Sequence, residues 1–198
     1  MQFSTCLNHP GLGTYFAKSA ERVQKAFAPK KWFFSMDEYR CGCRCELCRR
    51  DSRTVGSQLS AVVNRMREAV RRVSPNAEVY MWPDMFDPVI NARAGYYQLP
   101  STAAGSWDRL PKDIIMANWG TRPRNSYRFF SQRGFRTQCA TYYDEDGSFK
   151  GSREMLDVAS KAPNCTGWTY TPWGHHRDLL ENFVDLANTY RPVTQVGD

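Results

Sequence analysis

Residues 31–38 read KWFFSMDE, a short aromatic run that ends in two adjacent acids, Asp37 and Glu38. A continuous apolar run of this length, over residues 31–36, predicts a buried strand. A helical pattern at 12–27 precedes the strand. A second one follows at 55–73, with apolar residues recurring at steps of three and four. The order helix, strand, helix indicates an α/β protein.

The same alternation extends along the whole chain. Further strands are predicted at 2–6, 78–82, 113–119, 136–143 and 165–171, further helices at 125–133, 152–161 and 176–189, and an irregular stretch with one helical turn at 83–111. This order predicts a parallel sheet with right-handed crossovers. Residues suited to chemistry follow five of the six strands, which favours a closed barrel over an open sheet, where two strand ends dominate the site. We therefore predict one (β/α)8 TIM-barrel domain over residues 1–198, incomplete, with about six β/α units and without the first two.

Composition excludes several classes of protein. The aromatic content of 14% argues against a disordered chain, and no apolar run reaches the roughly 18 residues of a membrane span. No signal-peptide layout is visible, and the localisation stays open. The net charge is +7, but the basic residues are spread along the chain, and the cluster Arg65, Arg67, Arg71 and Arg72 is predicted to be a solvated helix face. We expect neither a nucleic-acid nor a membrane partner.

The acid pair is the leading candidate for catalysis. A carboxyl group near aromatic walls loses hydration, which raises its pKa and suits it to act as a general acid. Neighbouring residues on a strand face opposite ways, so Asp37 and Glu38 share a site only if the backbone turns there. The structural alternative is an acid pair bound in a salt bridge to Arg40 or to a neighbouring helix. Aromatic residues at the other strand ends, among them Trp82, Trp119 and Trp173, favour a sugar site.

The residues FFSMDE at 33–38 resemble the strand motif of glycoside hydrolase family 20, in which an Asp-Glu pair closes the strand. The order that follows is similar too: Trp82, Trp119, a Tyr-x-Asp pattern at Tyr142 and Asp144, and Trp173. The segment 82–97 resembles a less characterised bacterial group within that family. Three positions depart from the family pattern, because Ser35-Met36 stands in place of Gly-Gly and His175 in place of a glutamate.

The resemblance implies substrate-assisted, retaining hydrolysis of a terminal β-linked N-acetylhexosamine, without a cofactor. Glu38 would be the acid and base, Asp37 would orient the 2-acetamido group, and Tyr142 would bind the acetamido oxygen. The carbohydrate would be bound by the remaining candidates, namely Trp82, Asp84, Trp119, Asp144, Trp173 and His175. Two alternatives remain open: a barrel that binds carbohydrate without cleaving it, and a basic, cysteine-containing module that binds nucleic acid.

Seven cysteines are present, and four of them, Cys41, Cys43, Cys45 and Cys48, lie within eight residues. Their spacing is compatible with three interpretations: a structural zinc site, a disulfide, or free thiols. The other three, Cys6, Cys139 and Cys165, are predicted to be buried thiols. Because an incomplete barrel has open edges, we also expect self-association.

Overall fold

The computed structural model describes residues 4–119, 123–141, 146–174 and 177–192. It divides into two compact units, Met1–Ile114 and Ile115–Asp198. Parallel strands alternate with helices in both units, which confirms the predicted α/β class, whereas closure into a barrel stays a prediction. No helix within the described ranges is long and apolar enough to cross a membrane.

The first unit contains helix α1 (Leu12–Phe27), strand β1 (Lys31–Phe34), helices α2 (Glu46–Arg50) and α3 (Val55–Val73), and strand β2 (Glu78–Met81). β1 and β2 are parallel, with Lys31 opposite Glu78 and Phe34 opposite Met81. α1 packs against α3, whose apolar stripe is buried. The bounds of α1 and α3 are those predicted, because both helices carry a clear apolar periodicity.

The irregular stretch after β2 has three 3-10 turns where one helical turn was predicted: Asp84–Phe86, Tyr96–Gln98 and Ser106–Arg109. A row of polar side chains on α3 holds the end of this stretch, and we call this row the polar stripe of α3: Ser60, Asn64, Arg67 and Arg71. Ser60 donates to the carbonyl of Ser106, and Asn64 donates to the carbonyl of Arg109 at 3.0 Å.

The two arginines of the polar stripe of α3 bind Asp113, with N···O distances of 2.6 Å for Arg67 and 2.7 Å for Arg71. The prediction of a purely solvated basic face is therefore wrong at these two positions. Asp113 lies some forty residues further along the chain, so the helix sequence alone gives no sign of the contact. Burial opposes ionisation of this carboxyl group, but the hydrogen bonds from Arg67 and Arg71 hold the pKa of Asp113 below its ordinary value.

The second unit contains strand β3 (Ile114–Asn118), which begins one residue before the boundary, helix α4 (Pro123–Ser131), strand β4 (Thr137–Thr141), helix α5 (Lys150–Ser160), strand β5 (Cys165–Tyr170) and helix α6 (Leu180–Asn188). β4 is parallel to both β3 and β5. The core of this unit includes Tyr127, Cys139, Leu156 and Phe183.

The structure corrects the strand count. Ser4–Cys6 of the predicted strand at 2–6 has no strand assignment, and residues 1–3 lie outside the described part of the chain. Five strands of the predicted six are therefore observed in the described residues. The short helix α2 was not predicted, because its five residues, ELCRR, are too few and too polar to show an apolar stripe.

Candidate functional site

The turn that follows β1 is organised by a buried carboxylate from the next strand connection. Oδ2 of Asp84 accepts a hydrogen bond from the backbone N–H of Glu38 at 2.9 Å and another from the side-chain amide of Asn91 at 2.7 Å. Glu38 has a φ of 48°, in the left-handed region that a residue with a side chain rarely adopts. The Asp84 bond helps to hold the backbone in this turn, at the second residue of the predicted catalytic pair.

Asp84 is completely buried. Burial removes water from its carboxyl group and raises the pKa of Asp84 to about 7, although the bonds from Glu38 and Asn91 favour the ionised form. The negative charge of nearby Asp37 adds to the increase. Oδ1 of Asp84 has no hydrogen-bond partner among the described residues. Asp84 therefore has the properties of a proton-holding group beside the acid pair.

The Glu38 carboxylate is held by an ion pair. Oε2 of Glu38 lies 2.6 Å from the Arg40 guanidinium, which also lies 4.3 Å from the ring centroid of Tyr97 and shares a hydrogen bond with Tyr96. Burial raises the pKa of Tyr96 to about 12, so its phenol stays protonated and neutral. The structure thus contains a salt bridge of the kind that the sequence offered as the alternative to a catalytic pair.

Asp37 faces a different environment from Glu38. Its Oδ1 accepts a hydrogen bond from the Ser35 hydroxyl at 2.7 Å. Asp37 also lines a cavity of about 220 Å³ together with Met36, Tyr39 and apolar side chains of α1 and α3. The two carboxylates therefore have separate partners. The Asp37 carboxylate interacts with Asp84, whereas Glu38 contacts Asp84 through its backbone N–H.

Trp82 is the aromatic candidate of the first unit. It directly follows β2, and its backbone N–H extends the strand pairing by donating to the Phe34 carbonyl at 3.3 Å. The indole is half-buried and packs edge-on against Phe33, with ring centroids 4.6 Å apart. Within this unit, the structure brings Asp37, Glu38 and Asp84 together and puts Trp82 at the end of the adjacent strand.

The other candidates belong to the second unit or lie outside the described residues. Trp119 directly follows β3 and is half-buried, whereas Trp173, three residues after β5, is 56% exposed. Tyr142, Asp144 and His175 lie outside the described residues. Asn118, the last residue of β3, is buried, and neither of its amide atoms has a hydrogen-bond partner among the described residues. A buried, unpaired amide at a strand end is an additional candidate for ligand binding.

The cysteine group differs from the predicted one. The sulfur atoms of Cys6, Cys45 and Cys48 lie within 4.8 Å of one another, and neither Cys41 nor Cys43 belongs to this group. Cys6 was predicted to be a buried thiol but is half-buried. All seven cysteines are free thiols in the structure, whereas Cys139 and Cys165 are buried as predicted.

Sequence reasoning did not assign Arg40, Asn91 and Tyr96 to the site. Arg40 had a signal, since it follows Glu38 by two residues and was named as a salt-bridge partner. Asn91 and Tyr96 lie in an irregular stretch whose path no periodic pattern predicts. Their role became visible only through their contacts with Asp84 and Arg40.

The comparisons with known proteins support the fold and leave the chemistry open. No protein-family model matches the sequence, and no curated protein matches it. Among solved structures, the chain is similar to the β-N-acetylhexosaminidase from Bacteroides fragilis NCTC 9343, with a TM-score of 0.64 and 12% sequence identity. The match covers 98% of this chain and 42% of that chain, so this chain spans less than half the length of the enzyme. The fold is therefore distantly hexosaminidase-like.

Proposed function

We propose that this protein is a glycosidase that removes a terminal β-linked N-acetylhexosamine by substrate-assisted, retaining hydrolysis. The observation that carries the proposal is the position of Asp37 and Glu38, three and four residues after the end of β1, on a chain whose fold is similar to that of a hexosaminidase. Carboxylates at the C-terminal end of a parallel strand are where α/β enzymes commonly carry their catalytic groups.

In this mechanism the 2-acetamido oxygen of the substrate attacks the anomeric carbon while Glu38 donates a proton to the departing glycosidic oxygen. Asp37 accepts a hydrogen bond from the acetamido N–H and stabilises the positive charge that develops on the cyclic intermediate. Glu38 then takes a proton from a water molecule, which opens the intermediate with overall retention. Tyr142 binds the acetamido oxygen in this scheme.

The sugar ring would contact the aromatic candidates, and the polar ones would bind its hydroxyl groups: Trp82, Trp119, Asp144, Trp173 and His175. Asp84 takes a different role in the proposal, because it is completely buried and bonded to the Glu38 backbone. We assign to it the positioning of the turn that carries Glu38.

The ion pair between Glu38 and Arg40 favours a second candidate, a domain that binds carbohydrate without cleaving it. The Arg40 guanidinium lies 2.6 Å from Oε2 of Glu38, so one carboxylate oxygen is already bound within the protein. In this alternative Glu38 stays paired with Arg40, and its carboxylate accepts hydrogen bonds from sugar hydroxyls.

One assay separates the two candidates: hydrolysis of a chromogenic β-N-acetylglucosaminide by the wild-type protein and by Glu38→Gln. The enzyme proposal expects turnover by the wild type and a loss of about 100-fold or more in Glu38→Gln, since the amide cannot transfer a proton. The matched control is Glu46→Gln, an exposed glutamate that is ion-paired to Arg50 within α2. Absence of turnover by the wild type, together with calorimetric binding of N-acetylglucosamine, would refute the enzyme proposal and support the binding domain.

A further inference from the structure

Three cysteine sulfurs meet in the first unit, and one of them, from Cys6, lies about forty residues before the other two in the sequence. Cys6 Sγ lies 3.2 Å from Cys45 Sγ and 3.6 Å from Cys48 Sγ. All three atoms lie within 4.8 Å of one another. In a tetrahedral zinc–thiolate site with Zn–S bonds of about 2.3 Å, neighbouring sulfurs are about 3.8 Å apart. The observed spacing is therefore close to that of a metal site.

A fourth thiol lies next to the group. Cys43 is buried and interacts with Cys48 through their sulfur atoms. In the structure the Cys43 sulfur also lies 3.6 Å from Oε1 of Gln58. Cys43 and Cys45 come from the loop before α2, Cys48 comes from α2 itself, and Cys6 comes from the segment before α1.

Backbone N–H groups point at these sulfurs and favour their thiolate forms. The N–H of Cys48 lowers the pKa of the Cys45 thiol, together with the contact to Cys6 and the N–H of Leu47. The N–H of Asn8 donates to the sulfurs of both Cys6 and Cys48. Because a thiolate is the form that binds a metal, amide donors at three of the four sulfurs are a feature of a built ligand site.

Burial opposes the thiolate form at all four sulfurs. It raises the pKa of the Cys6 thiol to about 11 and also raises the pKa of the Cys48 thiol. A cation at the centre of the group would compensate for this cost, because the positive charge stabilises several thiolates at once. Nearby arginines, including Arg44 and Arg49, add positive charge to the same loop.

We propose that Cys6, Cys43, Cys45 and Cys48 bind one structural Zn²⁺, which ties the segment before α1 to the loop that follows Glu38. Binding exchanges the four thiol protons for the metal and needs no oxidant. Cys6 and Cys45 are 39 residues apart, so the metal closes a long loop. The proposal is independent of the proposed glycosidase activity, and its test does not use that activity.

The first measurement is elemental analysis of the full protein, purified under reducing conditions and dialysed. We expect about one zinc per chain, and a chelator should lower the melting temperature. Replacement by Co²⁺ should give the thiolate charge-transfer band and the visible bands of tetrahedral cobalt. Protein without stoichiometric zinc that also shows no tetrahedral cobalt spectrum would overturn the proposal, and so would iron with inorganic sulfide in place of zinc.

Variants then assign the ligands. Cys45→Ser, at the exposed member of the group, and Cys43→Ser should each lose stoichiometric zinc. Cys41→Ser is the matched control in the same loop and should keep it. Full zinc content in Cys45→Ser or in Cys43→Ser would contradict the proposed ligand set. If a serine variant does not fold, the wild-type cobalt spectrum still decides the coordination. An intact mass that is lower by two hydrogens, in protein without metal, would instead assign a disulfide and overturn the proposal.

Discussion

The replacement Asp84→Asn tests the central electrostatic feature of the candidate site. Both donors to Asp84, the Glu38 N–H and the Asn91 amide, bond to the same carboxylate oxygen. The single carbonyl oxygen of an asparagine can accept both, so the variant keeps these contacts and the shape of the side chain. It removes the ability to ionise, which is the property under test.

The expected magnitude follows from the pKa of Asp84, about 7 in the folded chain against an ordinary value of 3.8. Below pH 3.8 the group is protonated in both states and makes no difference to stability. Between these two values the unfolded chain releases the proton while the folded chain keeps it, so the free energy of unfolding falls as the pH rises and then levels off above pH 7. At 1.36 kcal/mol for each pKa unit, the loss is about 4 kcal/mol.

The assay is urea unfolding followed by tryptophan fluorescence, at about pH 4, 6 and 8. The variant should match the wild type at the lowest pH and should become the more stable of the two by up to about 4 kcal/mol at the highest pH. Asp108→Asn, at an exposed aspartate in the 3-10 turn Ser106–Arg109, is the control, and its stability should follow that of the wild type. If the stability difference between Asp84→Asn and the wild type stays constant with pH, Asp84 does not hold a proton in the folded state.

Three further substitutions test close contacts and charge in the first unit. Gly56→Ala would put a Cβ 2.6 Å from the carbonyl oxygen of Ala103, so we expect a loss of about 1–3 kcal/mol in urea unfolding, and an unchanged midpoint would contradict the contact. Gly42→Ala would put a Cβ 2.1 Å from the ring of Tyr39, and because that ring is tied by its hydroxyl, calorimetry should show a lower melting temperature. Asp113→Asn should cost about 1 kcal/mol at neutral pH after solvent screening. Since its arginine partners lower the pKa of Asp113, this effect should shrink as the pH falls through that pKa, and an effect that persists in acid would argue against the ion pairs.

The sequence predicted those parts of the fold that repeat a local pattern. α1 and α3 are long enough for their apolar stripes to be unambiguous, and the aromatic run of β1 ends close to the predicted position. The acid pair was identified because it directly follows that strand. In these cases the prediction depends only on residues that are close to one another in the sequence.

Contacts between distant residues were not predictable in the same way. Cys6 meets Cys45 across 39 residues, and its local context resembles that of an ordinary buried thiol. Asp84 was predicted to bind substrate, but its burial depends on the irregular stretch that follows it, where no period exists to place Asn91. The resemblance to a glycosidase family suggested roles for individual residues. The ion pair between Glu38 and Arg40 is instead a local contact between residues two positions apart in the sequence.

The polar stripe of α3 has a consequence for how this protein tolerates changes in length. Surface connections usually accept inserted or deleted residues, because few of their atoms are bonded to the scaffold. Here the segment 101–113 is bonded to successive turns of one helix, from the N–H of Val55 on the Ser101 hydroxyl to Arg71 on Asp113. Successive turns of a helix are about 5.4 Å apart, so one extra residue in the middle of the segment would move every later partner out of line with its donor. Length variation in this protein should therefore avoid residues 101–113.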